Sequence, residues 1–463
     1  MKYRIEYDSM GEVPVPEDAY YGAQTQRAME NFAVSGLTFP SSFIRAIGMI
    51  KKHAASVNRD LGLLPKDLAE AIIQAATETA EGKFDNQFVL DVFQTGSGTS
   101  TNMNANEVIA ARANEILTGK RGGKSPVHPN DHVNKCQSSN DVIPTAIHLA
   151  ALVSISKRLI PGMESLRDAL QYKAHEFDGI RKIGRTHLQD AVPIRLGDEF
   201  SGYARQLELA ISRIYSVEKS LGELALGGTA VGTGLQAHSE FAPRVIALIS
   251  EETGCSFREA VNHFEAQAAQ DAAVETSGAL KTLAVSLMKI ANDIRWLASG
   301  PRCGIGEINI PSLQPGSSIM PGKVNPVIPE MVIQVAAQVI ANDTAITLGG
   351  QWGTFELNTM LPLIAYNLLH SINLLEAAVQ RFALKCVNGI TANSEKCRQN
   401  IEQSLAMATA LNPAVGYEQA AAIAQRAYKE GKTVREIALE EKKLPEDEIS
   451  RLLDDAILGP HSE

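Results

Sequence analysis

At 463 residues the chain is too long for one compact core, so two or three domains are expected. Its composition, 44% hydrophobic and 21% charged, is that of an ordinary globular protein. A net charge of −10 and a pI near 5.6 argue against nucleic-acid or anionic-membrane partners, yet leave room for a small cationic pocket that takes an anionic substrate.

A first domain, 1–135, opens on a polar segment and turns helical. Apolar residues recur at three- and four-residue steps over 44–62 and 68–82, and Gly82 suits the position just past a helix end. Residues 94–108 read as a Gly/Ser/Thr/Asn loop leading into a helix. Within it, Thr95-Gly96-Ser97-Gly98-Thr99 lacks the third glycine of a dinucleotide fingerprint. Its hydroxyls suit a plain helix N-cap or an anion site, and the two are compatible, because a helix N-terminus attracts anions. The run His128-Pro129-Asn130-Asp131-His132-Val133-Asn134, followed by Gln137-Ser138-Ser139-Asn140-Asp141, is dense in side-chain donors. A turn plus an N-cap explains it as well as a ligand site does.

A central domain, 136–390, is dominated by long helical patterns at 140–172, 196–222, 265–299, 328–348 and 359–387. Long, mostly apolar helices joined by short or Gly-rich loops read as a bundle. Many carry too little polar surface to stand alone, so oligomerisation through them is expected. The loop Gly184-Arg185-Thr186-His187-Leu188-Gln189-Asp190-Ala191 contains a histidine, the natural proton shuttle near neutral pH, although a lone histidine is more often structural. The run Gly227 to Gly234 reads as a flexible turn that serves packing. From Leu357 to Leu375 nineteen residues carry no formal charge, but Asn358, Pro362, Asn367, His370, Ser371 and Asn373 make the stretch polar for a lipid-facing span. No membrane span is expected.

Residues 313–326, LQPGSSIMPGKVNP, are the most informative stretch. Pro315, Gly316, Pro321, Gly322 and Pro326 make it a loop, and fourteen residues is long for an ordinary connection. It holds Ser317, Ser318, Lys323 and Asn325 and no acidic residue, a set that suits an anion. A phosphate-binding P-loop is rejected: five residues separate the two glycines, and Val324 follows the lysine where a hydroxyl is required. A small third domain, 391–463, has short charged helical patterns at 394–411, 416–431 and 433–441. The five cysteines match no metal or redox spacing, and their odd, sparse count suggests reduced thiols in the cytoplasm. The N-terminus, MKYRIEYDSMGEV, is charged from the start and has no apolar signal region.

Taken together, GSSIMPGKVNP, HPNDHVN, QSSND, GRTHLQDA and GGTAVGTG resemble the class II fumarase and aspartase family, and the likeness runs from YYGAQTQRA at 20–28 to the C-terminal domain. The resemblance implies a mainly α-helical, three-domain subunit. It further implies a homotetramer whose central helices form a twenty-helix core, with each active site built from loops of three subunits. The TGSGT and QSSND segments look like those of fumarases, where aspartases tend to carry GGAGT and QSTND. VNPVIPE at 324–330 instead leans to aspartases. The expected activity is therefore reversible hydration of fumarate to L-malate, with aspartate ammonia-lyase as the alternative.

For this family the resemblance makes Ser317 the general base, acting as an alkoxide. Backbone N–H groups around Gly316 and Gly322, together with Lys323, would stabilise its anion. His187 would protonate the departing hydroxide through a water, and Glu330 would orient the imidazole. Ser97, Gly98, Thr99, Ser138, Ser139, Asn140, Thr186, Ser318, Lys323, Val324 and Asn325 would bind the substrate. His128, Pro129, Asn130 and Asp131 resemble a second dicarboxylate site, with Ser125 where many members have an arginine. No metal or cofactor is implied. A lens-crystallin-like structural role, known in this superfamily, is disfavoured because Ser317, Lys323, Asn325, His187 and Glu330 are all present.

Overall fold

The structure is a computed structural model and describes residues 2–458; residues 459–463 of the expected C-terminal domain lie outside them. Helices dominate, and each β-sheet among the described residues has two strands. The chain divides into two compact units. Within the described residues, one comprises 2–161, 210–284 and 335–376, and the other 162–209, 285–334 and 377–458. The expected mainly α architecture holds.

In the first unit, an antiparallel hairpin pairs Tyr3–Asp8 with Gly11–Pro16. Arg4 ties it down by donating to the carbonyls of Pro16, Ala19 and Tyr21. The helices Ser41–Asp60 and Lys66–Ala80 follow, close to the predicted spans, and Gly82 lies in the left-handed region just past the second. Small apolar residues (Ala55, Ala69, Ile72, Ala75, Ala76) pack these helices on Ile109, Ala110 and Ala113 of a third.

That third helix, Thr99–Thr118, begins nine residues before the expected start at 108. Its first turns carry Asn102, Asn104, Asn106 and Glu107, whose polarity reads as loop in the sequence. In the fold all four are buried and bonded. Asn102 donates to Ser139 Oγ and Asn134 Oδ1, Asn104 to the Gln87 carbonyl, and Asn106 to Asn134 Oδ1. Glu107 accepts from the backbone of Gly22, Gln24 and Thr25.

Asp91 does similar work in the loop ahead of this helix. Burial pushes its carboxyl up, but N–H groups of Phe93, Ser35 and Gly36 and the Ser35 hydroxyl outweigh it and hold it down at about 2. A depressed carboxyl stabilises the fold above its unfolded value and loses that contribution as pH falls through the folded one. Stability is therefore expected to fall between about pH 4 and 2, and Asp91→Asn should remove that part of the dependence in denaturant melts run across the range.

The predicted long helices are present as Ser139–Ser154 running through a π turn into Ile160–Glu176, then Leu196–Ser216, Asp271–Leu297, Val327–Gly350 and Leu361–Lys385. The pattern expected from 265 is interrupted: a short helix His263–Ala268 stops at Ala269, whose backbone is extended. Two helices, 139–176 and 327–350, are long and apolar enough to cross a membrane by length and composition alone. The first is mostly buried inside the fold, whereas only 33% of the second is.

In the second unit, a hairpin pairs Arg181–Thr186 with Gln189–Arg195. The C-terminal helices Ser394–Gln403, Tyr417–Glu430, Val434–Glu441 and Glu446–Leu458 close around Ile401, Leu411, Ile423, Ile437 and Leu453. The helix expected over 394–411 breaks at Ser404, whose extended backbone and side-chain cap start a separate 3₁₀ stretch at Leu405. Ile183 of the hairpin is buried in this same core.

Candidate active site

The candidate residues fall into two groups, one in each unit. In the first unit, two helix N-termini meet. Gly98 caps the 99–118 helix in a left-handed conformation, and Ser138 caps the 139–154 helix. The Asn102–Ser139 hydrogen bond, at 3.0 Å, joins their first turns. Ser97 Oγ and Thr99 Oγ1 lie 2.8 Å apart. The hydroxyl N-cap read from TGSGT does not form, since the cap is Gly98 without a side-chain cap bond and the Thr101 N–H is met by Gln94 Oε1; the anion-site reading is compatible, because two positive helix ends and several hydroxyls share one place. Gly96 is required here: a Cβ would sit 1.9 Å from the Thr359 carbonyl oxygen, against which the loop is pressed.

Ser138 and Asp141 form a full capping box: Asn140 N–H donates to Ser138 Oγ, and Ser138 N–H to Asp141 Oδ1. The other Asp141 oxygen accepts from the N–H groups of Gly227 and Thr229. Asn140 Nδ2 donates to the Ala230 carbonyl at 2.8 Å. GGTAVGTG thus does serve packing, and what it packs is the QSSND turn.

His128 caps the turn 129–133, with Nδ1 accepting from the N–H groups of Asn130 and Asp131 at 3.2 Å. That role requires a bare Nδ1, so Nε2 carries the proton of the neutral ring. Ser125 lines an open cavity of about 770 Å³ whose cations are Arg4, Lys120, Arg121 and Lys124.

In the second unit, Thr186 and His187 lie at the tip of the 181–195 hairpin, and His187 is exposed. Its two-residue turn is His187–Leu188, with φ of 56° and 61°. A type I′ turn needs both residues in the left-handed region, which Asn-Gly occupies without cost. Holding histidine and leucine there stores roughly 1–3 kcal/mol each. Beneath the turn, Arg185 makes a bidentate pair with Glu307 at 2.9 Å on both arms. Glu307 has no exposed surface, and Lys182 and Asn400 also reach it. Burial pushes the Glu307 carboxyl up, but Arg185, Lys182 and Asn400 hold it below the ordinary range.

The 313–326 loop is pinched at its base. Gly316 N–H donates to the Lys323 carbonyl at 2.8 Å, and Asn325 Nδ2 to the Gly316 carbonyl at 2.7 Å. Ser317 Oγ accepts from the N–H groups of Ile319 at 3.2 Å and Met320 at 3.0 Å. The expected backbone donors are therefore present, but they belong to residues 319 and 320 rather than to the neighbourhood of the two glycines. The physical reason is the turn itself, which aims N–H groups two and three residues on at the hydroxyl. A Cβ on Gly316 would stand 2.7 Å from the Lys323 oxygen and 2.9 Å from Asn325 N. Gly316→Ala is expected to open the loop, lowering kcat in a steady-state assay while the thermal midpoint stays put, since the loop is exposed.

Lys323, Val324, Asn325 and Glu330 line a cavity of about 610 Å³ together with Arg295 and Ser299. Among the described residues no hydrogen bond joins His187 to Glu330. Arg295 was not among the candidates read from the sequence. Its Nε is buried without a partner, and the available signal was an arginine between the apolar Ile294 and Trp296 near the end of a long helical pattern.

The whole chain is similar to proteins of known family. The pattern of a family described as Lyase matches residues 11–341, and that of a family described as Fumarase C C-terminus matches 407–458. The chain is 57% identical over 438 residues to the fumarate hydratase class II of Nitrosomonas europaea, covering 95% of each chain. It is 55% identical to the mitochondrial fumarate hydratase of Homo sapiens, covering 95% of this chain and 86% of that one. The crystal structure of class II fumarase from Schistosoma mansoni superposes with a TM-score of 0.94 at 40% identity, over 99% of this chain and all of that one. The chain belongs to the class II fumarate hydratase family of lyases.

Proposed function

We propose that the chain catalyses the reversible hydration of fumarate to L-malate, with Ser317 as the general base. The observation that carries this is the hydroxyl oxygen of Ser317, which accepts two backbone N–H groups in a pinched loop that also presents Lys323. Dehydrating malate means removing a weakly acidic proton beside a carboxylate. The carbanion survives only if its charge spreads into that carboxylate, so fixed donors must meet it there. Fixed N–H donors favour the serine alkoxide in the same way. Lys323 and Asn325 would hold the carboxylate that gains charge, with Ser318 and Val324 beside them. Ser97, Gly98, Thr99, Ser138, Ser139, Asn140 and Thr186 would hold the dianion.

His187 would protonate the leaving hydroxide through a water, with Glu330 fixing its ring. His128, Pro129, Asn130 and Asp131 would form a second dicarboxylate site. Side chains, backbone N–H groups and water handle every proton and charge in this scheme, so it calls on no metal or cofactor. We read the subunit as three domains, 1–135, 136–390 and 391–463, and the assembly as a homotetramer. The 327–350 helix supports the assembly: it is apolar yet only a third buried, and Leu348, Val285 and Trp296 are exposed. Five free cysteines support a reducing, cytoplasmic setting.

The test follows ultraviolet absorbance of fumarate with L-malate in one cuvette and L-aspartate in another. Fumarate from malate alone is expected. Fumarate from aspartate alone would overturn the reading in favour of an ammonia-lyase.

A further inference from the structure

Lys51 has no exposed surface, and among the described residues no carboxylate contacts its ammonium. Its Nζ donates to Asn134 Oδ1 and Gln137 Oε1, both at 2.9 Å. Asn134 Oδ1 also accepts from Asn102, which in turn donates to Ser139 Oγ. Asn134 Nδ2 donates to the Gln137 carbonyl, and Gln137 Nε2 to the carbonyls of Val133 and Lys135. One buried ammonium therefore stands behind the whole 133–140 turn. A buried charge is costly, the Asp141 carboxylate compensates this one only in part and without contact, and an ammonium kept beneath an anion-binding turn has an evident use.

We propose that Lys51 is a positioning residue for the substrate carboxylate: through Asn134, Asn102 and Gln137 it sets Ser139 and its turn, and the bound dianion balances its charge. This rests on the reading of Ser138–Asn140 as carboxylate-binding. The charged groups on the elements packed against Lys51 are otherwise engaged. Glu252 pairs with Lys52 and His53, and Glu78 with Arg112, while Asp131 is exposed on the 129–133 turn. Glu107 is bonded to the backbone of residues 22–25, and Asp141, also fully buried, to Ser138, Gly227 and Thr229. Lys135 and His132 lie on or beside the turn itself, burial pushes His132 down, and His148 of the 139–154 helix is bonded to the Glu223 carbonyl.

Burial also pushes Lys51 down to about 7, with Asp141 partly opposing it. The ammonium is charged below that value and neutral above it, so dianion binding should weaken as pH rises through about 7. The probe is succinate, a dicarboxylate that cannot react, titrated calorimetrically into the full-length protein. Lys51→Met is expected to weaken succinate binding about tenfold or more, the scale of a lost charge-assisted contact. It should raise KM for L-malate more than it lowers kcat. The wild type should lose affinity between about pH 6 and 8.5 while the folded variant shows no such loss. A folded variant that keeps wild-type affinity and pH dependence overturns the proposal alone. If the variant does not fold, the wild type decides, and a flat affinity across that range overturns it. A wild type that binds no succinate overturns the site reading and the proposal with it.

Discussion

Ser317→Ala is expected to lower turnover of L-malate by about 10²–10⁴-fold, the range that a positioned general base contributes. The oligomeric state and thermal midpoint should not move, because the loop is exposed and the hydroxyl's two hydrogen bonds come from N–H groups that water can satisfy. KM should change little, since the carboxylate would be held by Lys323 and Asn325. Those two expectations separate the base from a structural serine, whose loss would shift melting before chemistry. Ser318→Ala is the natural comparison: Ser318 is the adjacent hydroxyl and is placed here as a binding group, so its loss should raise KM more than it lowers kcat. A Ser317→Ala enzyme that retains most of its kcat would remove the base from the scheme.

Much of this loop was legible in the sequence because its signals are local. Prolines and glycines forbid regular structure, and the concentration of hydroxyls, a lysine and no acid names the ligand's charge. The long helices were legible for the same reason, since apolar spacing at three and four residues survives any packing. What escaped depended on partners distant in the chain. The polar start of the 99–118 helix looked like loop because nothing local says that Asn102 will meet Ser139, or Glu107 the backbone of residue 22. The N-terminal and 181–195 hairpins escaped for a related reason. His187–Leu188 is not a turn sequence by propensity, and only the pairing of flanking strands forces it into one. Lys51, one charge in an ordinary amphipathic helix, gave no hint of burial.

Glu307→Gln is expected to destabilise the protein by roughly 3–5 kcal/mol, the effect of breaking a buried ion pair from one side. The substitution preserves shape but replaces an acceptor oxygen with an NH₂ among donors. Arg185, Lys182 and Asn400 all aim N–H groups at this carboxylate, so an amide nitrogen there meets a donor whichever way it is turned. Glu199 pairs with Lys182 and makes no direct contact that would replace Glu307 at Arg185. The loss should reach the chemistry as well. Arg185 stands two residues before His187, whose turn is held in a left-handed conformation that histidine and leucine do not favour. Such a turn persists only when its surroundings over-determine it. Here the Arg185–Glu307 clamp does so from one side, and Ile183, buried in the C-terminal core, from the other. With the clamp gone the turn can relax, and kcat should fall even at temperatures where the variant remains folded. Arg185→Leu should act in the same direction, and the double variant should cost less than the sum, because the two residues answer each other. Thermal melts and kcat measured on the two single variants and the double check this. Unchanged melting in Glu307→Gln would mean that the carboxylate is not the keystone its burial implies, and full additivity would mean that the clamp is not one unit.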